Sequence, residues 1–272
     1  MTCRLFCIMF FLIAPYKSFS EDKVLKKLDF QNILLVINFN SHHYSNIDFL
    51  KEIYSSAFPN IVFYGSGKDP RVIQISDYRG FYNHGSLVDA MNRFPNYAGY
   101  LFVQDDCFFN YWNFDRLNKD KIWFHSKLFI ESLDVVNMKW NWWNQVFGRR
   151  AAIEAIKKLP KKYIEILNLN LGKYRVAFAW SDLFYVPRRL RKNYIEVAKC
   201  FLNPKVFCEI AIPTILCSLD SIQEWENLNV VWGKSLEHYT PDIDWFHPIK
   251  FSSRENREFI RQIVSNYGLL CE

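Results

Sequence analysis

Tyr97-Ala98-Gly99-Tyr100-Leu101-Phe102-Val103-Gln104-Asp105-Asp106-Cys107-Phe108-Phe109 runs apolar for the length of a strand, meets two adjacent carboxylates, and turns apolar again. A continuous apolar run of this length fits a strand buried on both faces, as in a parallel sheet. Two like charges side by side repel, and burial penalises them further unless something cationic sits against them. A divalent cation that prefers carboxylate oxygen, Mg²⁺ or Mn²⁺, is the simplest compensator. Such a cation commonly accompanies a phosphate-bearing substrate.

Upstream of this stretch the signals alternate between strand and helix. Asn32 to Asn38 is a second continuous apolar run, and Ser45 to Tyr54 has helical period with Ser45 or Asn46 as its cap. Ile61-Val62-Phe63-Tyr64 reads as a strand closed by Gly65-Ser66-Gly67, and Val72 to Ile75 as a short one. Gly85 to Arg93 reads as a helix ended by Pro95. The order predicts an α/β sheet with helices packed on it. In such sheets ligands bind beyond the carboxyl ends of the strands, where Asn38-Phe39-Asn40, Tyr64 and Asp105-Asp106 all fall.

Downstream the pattern is less regular. A helix is expected from about Arg149 to Lys158, and Phe178 to Pro187 reads as strand, acidic turn, strand around Asp182. Leu190 to Leu202 is helical. Phe207 to Leu219 is apolar, with Glu209 near its start; Pro213 inside it predicts a helix that begins only near Ile212, since proline is tolerated in a first turn. Asp242 to Pro248 reads as a turn, and Ser252-Ser253-Arg254-Glu255 opens a capped last helix that stops at Gly268. No repeat, low-complexity segment or linker interrupts residues 21–272, which are expected to form a single domain.

Composition narrows the function classes. Half of the 272 residues are apolar and 23% are charged, a globular balance. The first twenty residues read as a secretory signal peptide: Arg4 is basic, Leu5 to Ala14 is apolar, and Ser18-Phe19-Ser20 offers small residues for cleavage. Ten apolar residues are too few to span a bilayer, which takes about 20; a short uncleaved anchor extending through Pro15 and Tyr16 is the alternative. The expected location is therefore the secretory-pathway lumen, ER or Golgi, or outside the cell, with membrane contact only through that anchor. The formal charge of +6 includes Arg4 and Lys17, and the remaining basic residues are scattered in short clusters. That distribution reads as solvated helix faces, without a nucleic-acid-binding stripe. Beyond the leader lie Cys107, Cys200, Cys208, Cys217 and Cys271. In an oxidising lumen one or two disulfides are expected, with at least one cysteine left over. No Cys-x-x-Cys pair marks a zinc site, and no Asn-x-Ser/Thr sequon is present.

The order of these short motifs resembles that of a nucleotide-sugar glycosyltransferase of the GT-A fold, and most of all the C-terminal catalytic domain of the exostosin family. Asn38-Phe39-Asn40-Ser41 matches that family's Thr-aromatic-Asn-Arg nucleotide turn, Tyr64 its next strand end, Asn83 to Arg93 the polar helix before the metal strand, Gln104-Asp105-Asp106 its Asp-rich metal triplet, and Cys208-Glu209-Ile210-Ala211-Ile212 its late Cys-Glu-led helix. The chain departs from the pattern at Gln104, where the triplet has its first Asp, and at Ser41, where the turn has Arg. The resemblance implies a single GT-A (Rossmann-like) domain with a mixed sheet flanked by helices. It implies a metal-dependent hexosyl or N-acetylhexosaminyl transferase that takes a nucleoside-diphosphate donor, UDP-linked, and a glycan or glycoprotein acceptor.

The roles then divide by chemistry. Asp106 is expected to bind Mn²⁺ or Mg²⁺ directly, with Asp105 a second ligand or a ribose contact. His247 is the best further ligand, set against its reading as a structural histidine. Asn38, Asn40, Tyr64 and Asp105 would line the nucleotide. Asp182 and Glu209, each a carboxylate in an otherwise apolar run, are the two candidates for the catalytic carboxylate, and a buried salt bridge is the plainer reading of either. Arg149 and Arg150 could clamp diphosphate, and Trp140, Trp142 or Trp143 could stack on an acceptor sugar; adjacent Trp142 and Trp143 cannot both face the core. Two rival readings remain: a binding protein of the same fold that has lost catalysis, favoured by Gln104, and a metal-dependent phosphodiesterase.

Overall fold

The computed structural model describes residues 28, 30–75, 81–233 and 236–267. The expected leader, Cys271 and the glycine stop at 268 lie outside them. The chain begins β1 (Ile33–Asn38), α1 (Ile47–Tyr54), β2 (Ile61–Gly65), β3 (Val72–Gln74), α2 (Asn83–Arg93), β4 (Gly99–Gln104) and β5 (Phe108–Phe109). It continues through β6 (Trp123–Phe124), β7 (Phe129–Ser132), α3 (Asn141–Asn144), α4 (Ala151–Lys158), α5 (Lys161–Leu171), β8 (Arg175–Phe178), β9 (Leu183–Pro187) and α6 (Arg191–Leu202). The last elements are α7 (Cys208–Cys217), β10 (Glu226–Asn227), β11 (Val230–Trp232), β12 (Trp245–His247) and α8 (Arg254–Asn266).

Seven strands form one mixed sheet in the order β10-β6-β9-β4-β1-β2-β3. β4, β1, β2 and β3 run parallel, and β9 enters antiparallel against β4. The two central strands, β1 and β4, are buried at every position, which is why their sequences are apolar without alternation. The alternation reappears in what each residue touches. Leu34, Val36, Tyr100 and Phe102 face a core shared with α2, α4, α5, α6 and α7. Ile33, Leu35, Ile37, Leu101 and Val103 face the opposite core, shared with α1 and α8. The architecture is therefore α/β, a mixed sheet with helices on both faces, as the sequence leads one to expect. Among the described residues no helix is long and apolar enough to cross a membrane.

Several boundaries differ from the sequence reading. A 3₁₀ turn over Tyr44–Asn46 precedes α1, and its N-cap Asn46 makes no side-chain capping bond. α8 does begin on the expected cap, with Ser253 Oγ accepting from the Asn256 N–H at 3.4 Å. The segment expected to be a turn carries β12, which pairs with β11 and β5 in a separate three-stranded sheet. α7 starts at Cys208, a turn earlier than Pro213 predicts. The disulfide expectation is not met among the described cysteines: Cys107, Cys200, Cys208 and Cys217 are all free. Cys107 is enclosed in the α1/α8-side core, whereas Cys208 and Cys217 belong to the other one, at opposite ends of α7.

Candidate active site

The strand ends assemble the site by register. β1 and β4 stop together, with Asn38 paired to Gln104. β9 runs the other way and begins with Leu183 beside Val103, so Asp182, one residue earlier, lands at the same edge. Its carbonyl accepts the Gln104 N–H at 2.8 Å. In the small sheet Phe246 pairs with Phe108, so His247 comes opposite Cys107 and against Asp106. The Ile249 N–H closes this corner on the Asp106 carbonyl at 2.7 Å.

Glu209 arrives by a different device. Pro213 sits inside α7 and has no N–H to offer the carbonyl four residues back, which is that of Glu209. That carbonyl accepts instead from the Ala179 N–H at 3.0 Å. The missing helical bond thus ties the first turn of α7 to the loop that leads into Asp182. Both sequence candidates for the catalytic carboxylate are brought to one place.

The resulting cluster is a cation among acids. His247 Nε2 lies 3.1 Å from Asp106 Oδ1 and 3.6 Å from Asp182 Oδ1. Burial works against charge on this imidazole, but the fields of Asp182, Asp106 and Glu209 and the bond to Asp106 outweigh it and raise its pKa. Burial raises the Asp182 carboxyl, with His247 pulling it back down. Burial and then the Asp182 charge raise Glu209, to about 7. The Asp182 side chain is only 6% exposed, whereas Asp106 is 37% exposed and opens the cluster to solvent.

Asp105 faces elsewhere. Its Oδ1 accepts the Asn40 backbone N–H at 3.0 Å, and its own N–H is held by the Asn38 carbonyl at 3.0 Å. Burial, then the adjacent Asp106, pushes its carboxyl up to about 8. The Asn40 side-chain amide donates to Gln104 Oε1, so Gln104 and Asp105 together fasten the β1 turn to β4. The Asn38 amide donates to Asn83 Oδ1 at 3.1 Å and accepts from Ser86 Oγ at 2.6 Å. The Tyr64 hydroxyl donates to Asp89 Oδ2 at 2.8 Å, and Asn38 and Tyr64 are themselves buried. They brace the turn with their polar atoms committed to α2, whereas Asn40 and Asp105 bond each other across the β1 and β4 ends.

Of the other expected residues, Arg149 donates to the Leu133 carbonyl at 2.7 Å and Arg150 is an exposed surface side chain. Trp143 is buried, Trp142 is partly exposed against Phe207, and Trp140 stacks on Phe178. Asp244, close to His247 in sequence, is buried and tied to Arg116 at 2.7 Å and to the Asn229 N–H, a structural role.

The acidic cluster fits a divalent cation in one respect. Asp182 Oδ2 and His247 Nδ1 are buried without a hydrogen bond, and Asp106 Oδ1 meets only His247 Nε2, so coordinating atoms are in surplus. Among the described residues no group of three or more His, Cys, Asp or Glu side chains is placed to hold a metal ion. Asp106 and His247 offer a half-site. Mg²⁺-type ions at phosphate-transfer sites commonly take one or two carboxylates and complete their shell with substrate phosphates and water.

No protein-family model matches the chain. It is similar to two curated proteins of Arabidopsis thaliana: probable glycosyltransferase STELLO1, 22% identical over 259 residues, and probable glycosyltransferase STELLO2, 21% identical over 263. Each match covers 90% of this chain and 33% of the relative, so the chain spans about a third of their length. Two solved structures also align. A glycosyltransferase involved in glycosylating the major capsid of PBCV-1 aligns at TM-score 0.41 and 12% identity, over 84% of this chain and 99% of that one. The WbbM bifunctional glycosyltransferase aligns at TM-score 0.44 and 10% identity, over 86% of this chain and 50% of that one. The relatives agree with the glycosyltransferase class expected from the sequence, and none is named as an exostosin.

Proposed function

We propose that the chain is a glycosyltransferase domain of GT-A type, moving a sugar from a nucleoside-diphosphate donor, UDP-linked, to a glycan or glycoprotein acceptor. The reading rests on one observation above all: Asp106, His247, Asp182 and Glu209 come from four separate segments and meet at the carboxyl edge of the parallel strands. The likeness to probable glycosyltransferases over 90% of the chain supports the class. In this reading Asp106 and His247 hold Mn²⁺ or Mg²⁺, which would offset charge on the departing diphosphate. Asn40 and Asp105 form the turn beside the nucleoside. Glu209, with a carboxyl raised to about 7, can accept a proton from an acceptor hydroxyl near neutral pH. Asp182 would stabilise positive charge that develops at the anomeric carbon. The apolar run Leu5–Ala14 supports a secretory-pathway location.

Incubation with a panel of UDP-sugars and Mn²⁺ tests the reading. Release of UDP from at least one donor is expected with the wild-type chain and not with Glu209→Gln. A chain that binds UDP and metal but turns over no donor would favour the non-catalytic binding protein.

A further inference from the structure

The geometry points to a saccharide-stacking platform built on Trp232 and Trp180 beside the acidic cluster, so that the acceptor is a sugar rather than a side-chain hydroxyl of a protein. Trp232 and Trp180 stack with ring centroids 5.4 Å apart and an interplanar angle of 1°. Trp232 nevertheless stays 42% exposed. The next residue, Gly233, has open space where a Cβ would stand. β11 and β12 are parallel and in register, with Trp232 paired to His247, so both side chains leave the same face of the small sheet. Their ring centroids are 6.2 Å apart. A flat ring bound against Trp232 would therefore lie next to the Asp106–His247–Asp182 cluster.

The platform is fixed from below. His125 is buried and donates through Nε2 to the Trp180 carbonyl at 2.8 Å. Its ring packs between Trp180 and the fully buried Trp245, at 5.7 and 6.1 Å. Burial holds this histidine neutral, down to about 4. The Lys127 ammonium lies 5.6 Å from the Trp180 ring centre and close to the Val230 carbonyl. An aromatic pile thus runs from the core to an exposed indole, its lower members locked by hydrogen bond and packing. A pyranose presents a face of C–H groups carrying slight positive charge, which suits the negative face of an indole. The hydroxyls around its rim would face the acidic cluster, since Trp232 and His247 lie 6.2 Å apart. A serine or threonine acceptor has no such face to offer.

The inference takes its substrate from the glycosyltransferase reading and its site from the aromatic geometry. Saturation-transfer NMR on the full chain tests it, with methyl glycosides of glucose, galactose, mannose, xylose and N-acetylglucosamine as probes. At least one probe is expected to bind, with saturation concentrated on the C–H protons of one ring face. Trp232→Ala should weaken that binding roughly tenfold, the scale of losing one aromatic contact, while Trp232→Phe holds it within about threefold. UDP–Mn²⁺ binding and the melting temperature should match wild type in both variants. Absence of binding by every probe, or equal binding by Trp232→Ala, overturns the platform. Trp232-dependent glycoside binding without UDP binding would keep the platform and remove the donor reading instead.

Discussion

Asp182 and Glu209 both feel the charge of His247, so shape-preserving substitutions should separate their chemistry from their packing. Asp182→Asn and Glu209→Gln are each expected to lower transfer by about 10²-fold or more, the usual scale for a positioned acid or base. UDP–Mn²⁺ affinity, read by calorimetry, should be retained. A second residue-level test uses acid. Burial lowers His84 to about 3, well below its unfolded value near 6.5. The unfolded chain therefore binds a proton that the folded chain refuses. Stability from this group is complete above pH 6.5 and is lost as the pH falls toward 3, by up to a few kcal/mol. Urea melts of His84→Leu should show a shallower acid limb than wild type; an unchanged limb would assign the acid sensitivity elsewhere. At this scale the sequence singles out Asp106, Asp182 and Glu209 because a charge interrupts an apolar run, and the structure brings them near His247. What the sequence did not reveal is that the polar atoms of Asn38 and Tyr64 are bonded to Asn83, Ser86 and Asp89, which come from α2.

At the level of elements, close packing of the central strands leaves no room for a side chain at Gly99. A Cβ there would fall within 1.9 Å of the Tyr185 hydroxyl. Tyr185 cannot yield readily, because its ring stacks on Trp123 at 3.9 Å and its hydroxyl bonds the Lys119 carbonyl at 2.9 Å. Gly99→Ala should cost about 1–3 kcal/mol in denaturant melts, the range for overpacking. Pro213→Ala makes the opposite case. It restores an N–H that competes with Ala179 for the Glu209 carbonyl, so the helix should melt no earlier while kcat falls. Loss of kcat without loss of stability would mark Pro213 as a positioning residue; unchanged kcat would show that Ala179 suffices to hold the loop. Strands β1, β2 and β4 were legible because buried parallel strands need continuous apolar runs. The start of α7 was not, since the bond that compensates Pro213 comes from a residue 34 positions earlier. β12 was missed because its three residues become a strand only through pairing with β11 and β5.

Across the whole molecule, helix and strand order sufficed for the α/β class and for gathering the candidate residues at the carboxyl ends of the parallel strands. The union of the seven-stranded sheet with the small β11-β12-β5 sheet was not visible, and it is that union which carries His247 and Trp232 to the site. The chain spans about a third of the length of the curated relatives it matches. The central claim is that this edge binds a nucleoside diphosphate through a metal on Asp106 and His247. Thermal denaturation with UDP, with and without Mn²⁺, measures it directly. The wild-type chain should be stabilised by UDP and Mn²⁺ together, more than by either alone, because binding to the folded state raises the melting temperature. Asp106→Ala should abolish the joint shift. No shift in wild type, or an equal shift in Asp106→Ala, would contradict the account.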